Sequence, residues 1–318
     1  LRQHLTAALG DGIRSRKSVT ILDRRLPPVT SFASNEVVTC RLPDGRPRRV
    51  FIKYESPRGH TSFGHRGSIA YEAEVYRRVL HTYPGFHPHC LGANTDPVTG
   101  RTWLLLEYQD RATRLSDLQI RIATRQPAAM VQAARWLGQF QAAHETAAAP
   151  GELDFLIRYD AEYFLGWVRR ALEFTAPRHA QYPWLRGLCR RPDPWVNLLL
   201  AAPPTVIHGE FYGKNLLLRR RQIRVVDWES SAVAAGEIDL AALTEGRWPA
   251  RTVRRCEQAY RRARWPCGVP AGFGARLAAA KIYLNFRWLG ERPEWALREK
   301  WRWRYDHLHR AATHLHLL

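Results

Sequence analysis

The chain has 318 residues, 49 of them basic and 29 acidic, for a formal charge of +20. Hydrophobic residues at 45% and charged residues at 25% are ordinary globular values, and they exclude wholesale disorder, a collagen-like fibre and a disulfide miniprotein. The length suits one large domain or two modest ones, with about 70–75% of the unfolded surface buried at this size.

The first third reads as strands and turns. Residues 17–22, 36–42 and 49–54 are β-rich runs, and the last two flank Pro43-Asp44-Gly45-Arg46, a hairpin turn signal. Residues 56–67, rich in Gly, Ser and charge, read as a loop, and a helix follows over 68–81. The turn Asp96-Pro97-Val98-Thr99-Gly100 precedes an apolar strand over 102–108. After Asp110 the character changes. Met130, Ala134, Leu137 and Phe140 recur at helical spacing within 127–146, and a second helix is expected over 160–174. Short β runs return at 205–207, 216–218 and 223–226. The tail reads as helices over 251–264, 272–289 and 294–314, the middle one with an apolar face of Phe273, Leu277, Ala280, Leu284 and Trp288. A β-rich lobe over 1–108 and a mainly helical lobe over 109–318 are expected.

The first 30 residues lack the apolar core of a secretory signal, and no run of 18 apolar residues predicts a membrane span. Five scattered cysteines, with no C-x-x-C spacing, suit a reducing cytoplasm. Only five of the basic residues are lysine, and residues 245–318 hold 16 basic against 6 acidic groups, half of the whole excess. Such charge invites a nucleic-acid reading. No zinc-finger spacing, RNA-recognition signature or basic-zipper heptad supports it, so nucleic acid is not the partner expected.

The densest chemistry lies in Val206-Ile207-His208-Gly209-Glu210-Phe211-Tyr212-Gly213-Lys214-Asn215. Twelve residues after Asn215 comes Asp227, in Val225-Val226-Asp227-Trp228-Glu229, and twelve later Asp239, in Gly236-Glu237-Ile238-Asp239-Leu240-Ala241. An Asn and an Asp at adjacent strand ends can converge on one hard cation, and Mg²⁺ typically takes one or two carboxylates plus substrate phosphates. Glu210, five residues before the Asn, can accept a proton from an attacking hydroxyl. Metal ligands, a base and charge neutralisation are what phosphoryl transfer needs.

These segments resemble the aminoglycoside phosphotransferase-like family, within the protein-kinase-like fold. Its signature is His-Gly-Asp, four residues, Asn, then an apolar strand ending in Asp. The resemblance spans roughly residues 15–245 and implies an α+β, bilobal fold with a nucleotide-binding first lobe. It implies Asn215 and Asp227 as Mg²⁺ ligands and Asp239 as a brace for the catalytic loop; Glu229, two residues after Asp227, is a further candidate to assist the metal. One departure stands out: the family's usual base is Asp, and here it is Glu210. The extra methylene moves the carboxylate by ~1.5 Å, and misplacement of ~1 Å can cost ~100-fold in rate.

Lys53, at the end of the apolar run 50–54, occupies the place of the phosphate-pairing lysine of the fold. Its partner should be Glu72 or Glu74 on the next helix. At 100° per residue the two point about 200° apart. Glu72 shares a face with Ile69, Tyr76 and Val79, whereas Glu74 has Arg78 at i+4, so Glu72 is expected to face Lys53. No Gly-rich loop precedes Lys53. The stretch 30–36 offers Ser31 and Ser34 for phosphate instead, and Glu107, Tyr108 and Gln109 resemble the adenine-binding hinge.

The expected reaction moves the γ-phosphate of ATP or GTP, with Mg²⁺, to a hydroxyl of a small molecule. A tail of such positive charge favours a neutral or anionic acceptor over a polycationic aminoglycoside. Two other classes stay open: a degenerate kinase-like scaffold, prompted by Glu210 and the missing glycines, and a nucleic-acid binder using the basic C-terminal helices. The histidines 307, 309, 314 and 316 read as suiting a helix C-terminal dipole, and the Phe86-His87-Pro88-His89-Cys90 run as loop or packing, neither as a metal site. His144 is read as packing, and the twelve tryptophans mostly as core, with one or two lining an acceptor pocket.

Overall fold

The structure is a computed structural model and describes residues 5–6, 9, 18–27, 34–55, 62–117, 127–145, 151, 153–246 and 248–318. The expected phosphate residue Ser31 lies outside the described residues. The chain forms two compact units: Leu1–Thr113 with Leu217–Ser230, and Arg114–Leu216 with Ser231–Leu318.

The first unit is built on a five-stranded antiparallel sheet. Its strands are β1 (Thr20–Arg25), β2 (Ser34–Arg41), β3 (Pro47–Tyr54), β4 (Cys90–Thr95) and β5 (Thr102–Glu107), in the order β1-β2-β3-β5-β4. The hairpin between β2 and β3 turns at Gly45, whose φ of 84° suits glycine, and Asp44 Oδ1 accepts from the Arg46 amide at 3.0 Å. Register then follows: Val38 faces Val50, and Asn35 faces Lys53. Side chains alternate along β3. Val50 and Ile52 enter a core with Val38, Cys40, Leu105, Leu5, Leu9 and Val19, which leaves Lys53 on the opposite face. Helix α1 (Ile69–Arg78) packs on β5, with Ser68 Oγ capping it by accepting from the Tyr71 amide at 3.1 Å.

Three expectations need correcting in this unit. The first strand runs over Thr20–Arg25 rather than 17–22. The helix expected to reach residue 81 stops at Arg78, and a 3-10 turn, Leu80–Thr82, follows. β4, with its Gly-Ala-Asn sequence and a register shift at Gly92, carries no apolar alternation and was not expected.

The strand β6 (Thr113–Arg114) straddles the passage from the first unit to the second. The second unit is largely helical: α2 (Pro127–Ala143), α3 (Ala161–Phe174), α4 (Trp184–Arg190), α5 (Asp193–Leu200), α6 (Glu237–Leu243), α7 (Ala250–Arg264), α8 (Phe273–Glu291), α9 (Pro293–Leu297) and α10 (Arg302–His314). A small sheet joins them, with β11 (Ala232–Ala235) between β7 (Ile157–Arg158) and β8 (Pro204–Ile207). The remaining strands are β9 (Leu216–Arg219) and β10 (Gln222–Val225), neighbours in a third sheet. Gly138 allows α2 and α7 to approach closely, since a Cβ there would stand 2.6 Å from the Tyr260 carbonyl oxygen.

α8 does not show the single apolar face expected of it. It is buried nearly all round, because α3, α5, α6, α9 and α10 all pack on it. The expected helix over 294–314 is two helices. Arg298 is extended, with φ −72° and ψ 130°, and the Leu297 carbonyl accepts from Arg178 Nη2 at 2.7 Å instead of continuing a helical ladder. Helices α4, α5 and α6 and the Ala-rich β11 were also not expected. Among the described residues no helix is long and apolar enough to cross a membrane.

Candidate active site

The first unit gathers a lysine and three carboxylates. Lys53 is 4% exposed, and its Nζ lies 2.7 Å from Glu72 Oε2 and 2.5 Å from Asp227 Oδ1. Helical phase places Glu72 inward and fully buried, whereas Glu74 pairs with Arg77 at 2.6 Å. Glu72 Oε1 also accepts from the Trp228 amide at 3.1 Å, tying α1 to the turn that holds Asp227. Asp227 itself has φ 71°, a left-handed conformation that Asp tolerates better than most residues. Carboxylate oxygens of Glu72, Asp227 and Glu229 lie within 4.8 Å of one another, the one such acidic or metal-ligating group among the described residues.

The electrostatics follow from burial and neighbours. Burial works against the Lys53 ammonium, but Asp227, Glu72 and Glu229 beside it hold its pKa well above the usual value. Burial and the Asp227 charge raise Glu72, against the pull of Lys53. Burial, with Asp227 nearby, pushes Glu229 up to about 8. Arg66, from the loop before α1, stands 3.3 Å from Glu229 Oε1. Three carboxylates thus face Lys53 and Arg66. Hard oxygen donors in excess of local cations fit a divalent metal of the Mg²⁺ type.

The expected hinge lies in the same unit. Glu107 ends β5, and Arg219 Nη1 reaches Glu107 Oε1 at 3.3 Å and Gln109 Oε1 at 3.4 Å. Arg49 stacks 5.2 Å from the Tyr108 ring and pairs with Asp110 at 2.8 Å. Ser34 opens β2, exposed, opposite Tyr54.

The second unit holds the loop after β8. Gly209 has φ 77°, so the chain turns sharply there. Asp239, at the start of α6, accepts from the His208 amide at 2.7 Å, the Gly209 amide at 3.0 Å and Gln141 Nε2 at 3.3 Å. Burial pushes Asp239 up to about 7, against these hydrogen bonds, which favour its ionised form. Asn215 Nδ2 donates to the Glu210 carbonyl at 3.0 Å, which leaves Oδ1 as the atom it can offer a cation. Glu210 is 2% exposed. Its Oε2 meets Lys214 Nζ at 3.0 Å, and its Oε1 lies 3.4 Å from Arg287 Nη2. The longer side chain is therefore gripped at both oxygens. Arg287, fully buried on α8, also donates to Tyr212 Oη at 3.0 Å.

Sequence reasoning passed over Arg66, Lys214, Tyr212 and Arg287. Lys214 and Tyr212 stood inside the motif and carried a signal, the only charged and hydroxyl groups between Glu210 and Asn215. Arg287 gave none, being one arginine among many. Several of the histidines set aside have packing partners, while His89, Cys90, His314 and His316 are exposed. His87 bonds the Pro88 and Leu80 carbonyls, His144 bonds the Phe140 carbonyl at 2.8 Å, and His307 and His309 lie against Trp303 and Trp184. Elsewhere in this unit, α2 and α7 form a groove of about 420 Å³ lined by Arg135, Arg255 and Arg262, with no acidic or aromatic side chain. It suits negative charge but offers no stacking surface for bases.

A sheet with a flanking helix and a buried Lys–Glu pair, and a helical unit with a braced polar loop, define the expected α+β, protein-kinase-like fold. Residues 28–274 match the phosphotransferase enzyme family, and the chain belongs to it. Solved structures of the same fold include the choline kinase LicA from Streptococcus pneumoniae, with TM-score 0.63 and 13% identity over 100% of this chain and 98% of that one. The spectinomycin phosphotransferase APH(9)-Ia, solved with ADP and spectinomycin, matches with TM-score 0.56 and 11% identity over 99% and 98%. The macrolide 2′-phosphotransferase MphH from Brachybacterium faecium matches with TM-score 0.52 and 16% identity over 97% and 98%. No curated protein matches the chain significantly by sequence.

Proposed function

We propose that the protein transfers the γ-phosphate of a nucleoside triphosphate, ATP or GTP, to a hydroxyl of a small molecule. The observation that carries this reading is the buried Lys53, held between Glu72 and Asp227 with Glu229 alongside. Lys53, fixed by Glu72, would bind the phosphates, and the segment from Glu107 to Gln109 would hold the base. Ser34 and Ser31 are the residues proposed to bind the phosphates. Asp227, Asn215 and Glu229 are the ligands proposed for Mg²⁺, which would neutralise phosphate charge when bound. Glu210 would accept the proton of the acceptor hydroxyl as its oxygen bonds to the γ-phosphorus and the bond to the β–γ bridging oxygen breaks. Asp239 would position that loop through the His208 and Gly209 amides. The family membership and the nucleotide in related structures support the reading. The five cysteines, all free, suit a reducing cytoplasm.

The test is calorimetric titration with ATP and GTP, with and without Mg²⁺. Asp227→Ala should remove the Mg²⁺-dependent part of binding while the protein stays folded. Glu210→Gln should keep nucleotide binding and lose ~10²–10⁴-fold in transfer. Unchanged Mg²⁺-dependent binding in a folded Asp227→Ala protein would refute the metal assignment. Nucleotide binding with no transfer to any acceptor, and none restored by Glu210→Asp, would favour a degenerate binding protein. The grip of Lys214 and Arg287 on Glu210 is the feature that keeps this second reading open.

A further inference from the structure

The tryptophans linked to Glu210 through Tyr212 and Arg287 already hold a cation, and it belongs to the chain. Trp288, Trp295 and Trp301 are half-buried, with ring centroids 5.3 Å apart for Trp288–Trp295, 5.2 Å for Trp288–Trp301 and 5.5 Å for Trp295–Trp301. The Arg304 guanidinium stands 4.5 Å from the Trp288 ring, 4.6 Å from Trp301 and 4.3 Å from Trp303. Its Nη1 meets Glu245 Oε1 at 2.5 Å. The cluster connects directly to the catalytic loop. Trp288 Nε1 donates to Tyr212 Oη at 2.9 Å, the same oxygen that takes Arg287, whose Nη2 lies 3.4 Å from Glu210.

Aromatic faces attract cations, and cages of such rings are how quaternary ammonium groups are recognised. Here that attraction is spent on Arg304. The neighbouring carboxylates are also committed: Glu210 to Lys214 and Arg287, Glu291 to Arg287, and Glu245 to Arg304. A cationic acceptor would find ring faces covered and two guanidinium groups opposing it.

The charge balance points the same way. The ion pairs leave the cluster close to neutral, so no net charge is asked of the ligand.

We propose that Arg304 is a specificity-determining residue: an internal cation that plugs the aromatic cage, so that the acceptor is an uncharged hydroxyl compound with a face that stacks on the tryptophans. This rests on the reading of Glu210 as the base. The plug turns a cage suited to ammonium alcohols into a site that rejects them.

Choline and 3,3-dimethylbutan-1-ol share shape and differ in charge, so they test the proposal directly. Binding of each is followed by tryptophan fluorescence without nucleotide, on the wild type and on Arg304→Met and Arg304→Gln, with folding checked by thermal melting. The wild type should prefer the neutral alcohol over choline, and either folded variant should reverse that preference, gaining at least about tenfold for choline. A wild type that prefers choline would overturn the proposal whether or not the variants fold. Folded variants that gain nothing, or binding of neither alcohol to any of the three proteins, would overturn it too. Because the readout needs no nucleotide, a preference for the neutral alcohol alongside failed nucleotide binding would sink the phosphotransfer reading and leave the plug standing.

Discussion

Lys53→Met removes the one ammonium set between Glu72 and Asp227 while keeping most of its apolar stem. Lys53 and Glu72 are 4% and 0% exposed at the side chain, so solvent does little to replace the lost partner. Breaking a buried pair by deleting one member typically costs ~3–5 kcal/mol. Coulomb's law gives a similar figure: two carboxylates at the 4.8 Å limit of this cluster repel by about 3.5 kcal/mol at an effective dielectric constant of ~20. We therefore expect a loss of ~3–4 kcal/mol in urea unfolding at pH 8. The acids can escape by taking up protons, and Glu72 and Glu229 are already raised above their ordinary values. A group raised in the folded state adds stability at low pH and loses it as pH rises through the folded value. The variant should thus be relatively less impaired at pH 5.5 than at pH 8. Lys53→Met/Glu72→Gln, which removes both charges, should recover ~1–2 kcal/mol of the single loss. A single-variant loss below ~1 kcal/mol at both pH values would refute the reasoning, as would a double variant whose cost is the sum of the singles.

Two further outcomes follow from the second unit. Burial raises Asp239 to about 7 from its ordinary 3.8, so the folded chain holds a proton there that the unfolded chain releases. Stability from this group should fall as pH climbs from about 4 to 7, with a slope of at most ~1.4 kcal/mol per pH unit. Asp239→Asn lacks that slope, and the melting-temperature gap between wild type and variant should favour the wild type more at pH 4 than at pH 7. Gly236→Ala would put a Cβ 2.0 Å from Arg264 Nη1 and 2.3 Å from Gln141 Oε1, inside a buried network that includes Tyr260. It should cost ~1–3 kcal/mol, whereas Gly187→Ala on α4, with nothing within 4 Å, should be neutral or stabilising by urea unfolding.

The parts legible in the sequence were those whose pattern is local. The β2–β3 hairpin declared itself through alternation around Asp44-Gly45, and helical phase with the charge spacing of the next helix separated Glu72 from Glu74. The spacing of Glu210, Asn215 and Asp227 offered candidate site residues, and the resemblance it carries added Asp239. What stayed hidden depends on contacts between distant segments. β11 reads Ala-Val-Ala-Ala, which suits a helix by propensity, and it is a strand because β7 and β8 pair with it on both sides. Arg287 and Arg304 look like two more surface arginines in a basic tail. Only packing shows one buried beside Glu210 and the other against three indole rings.

The stretch Leu217–Ser230 belongs with the first unit although it is made after more than half of the second. Lys53 meets Asp227 across 174 residues of sequence. At synthesis rates of ~5–20 residues per second, roughly 9–35 s separate the emergence of the two from the ribosome. For that interval the nascent sheet carries a lysine without its second carboxylate. A fragment ending at Thr113 would be frozen in the same state. The first unit is thus continuous in space but not in time, and its completion waits for a segment that arrives by way of the other half of the molecule.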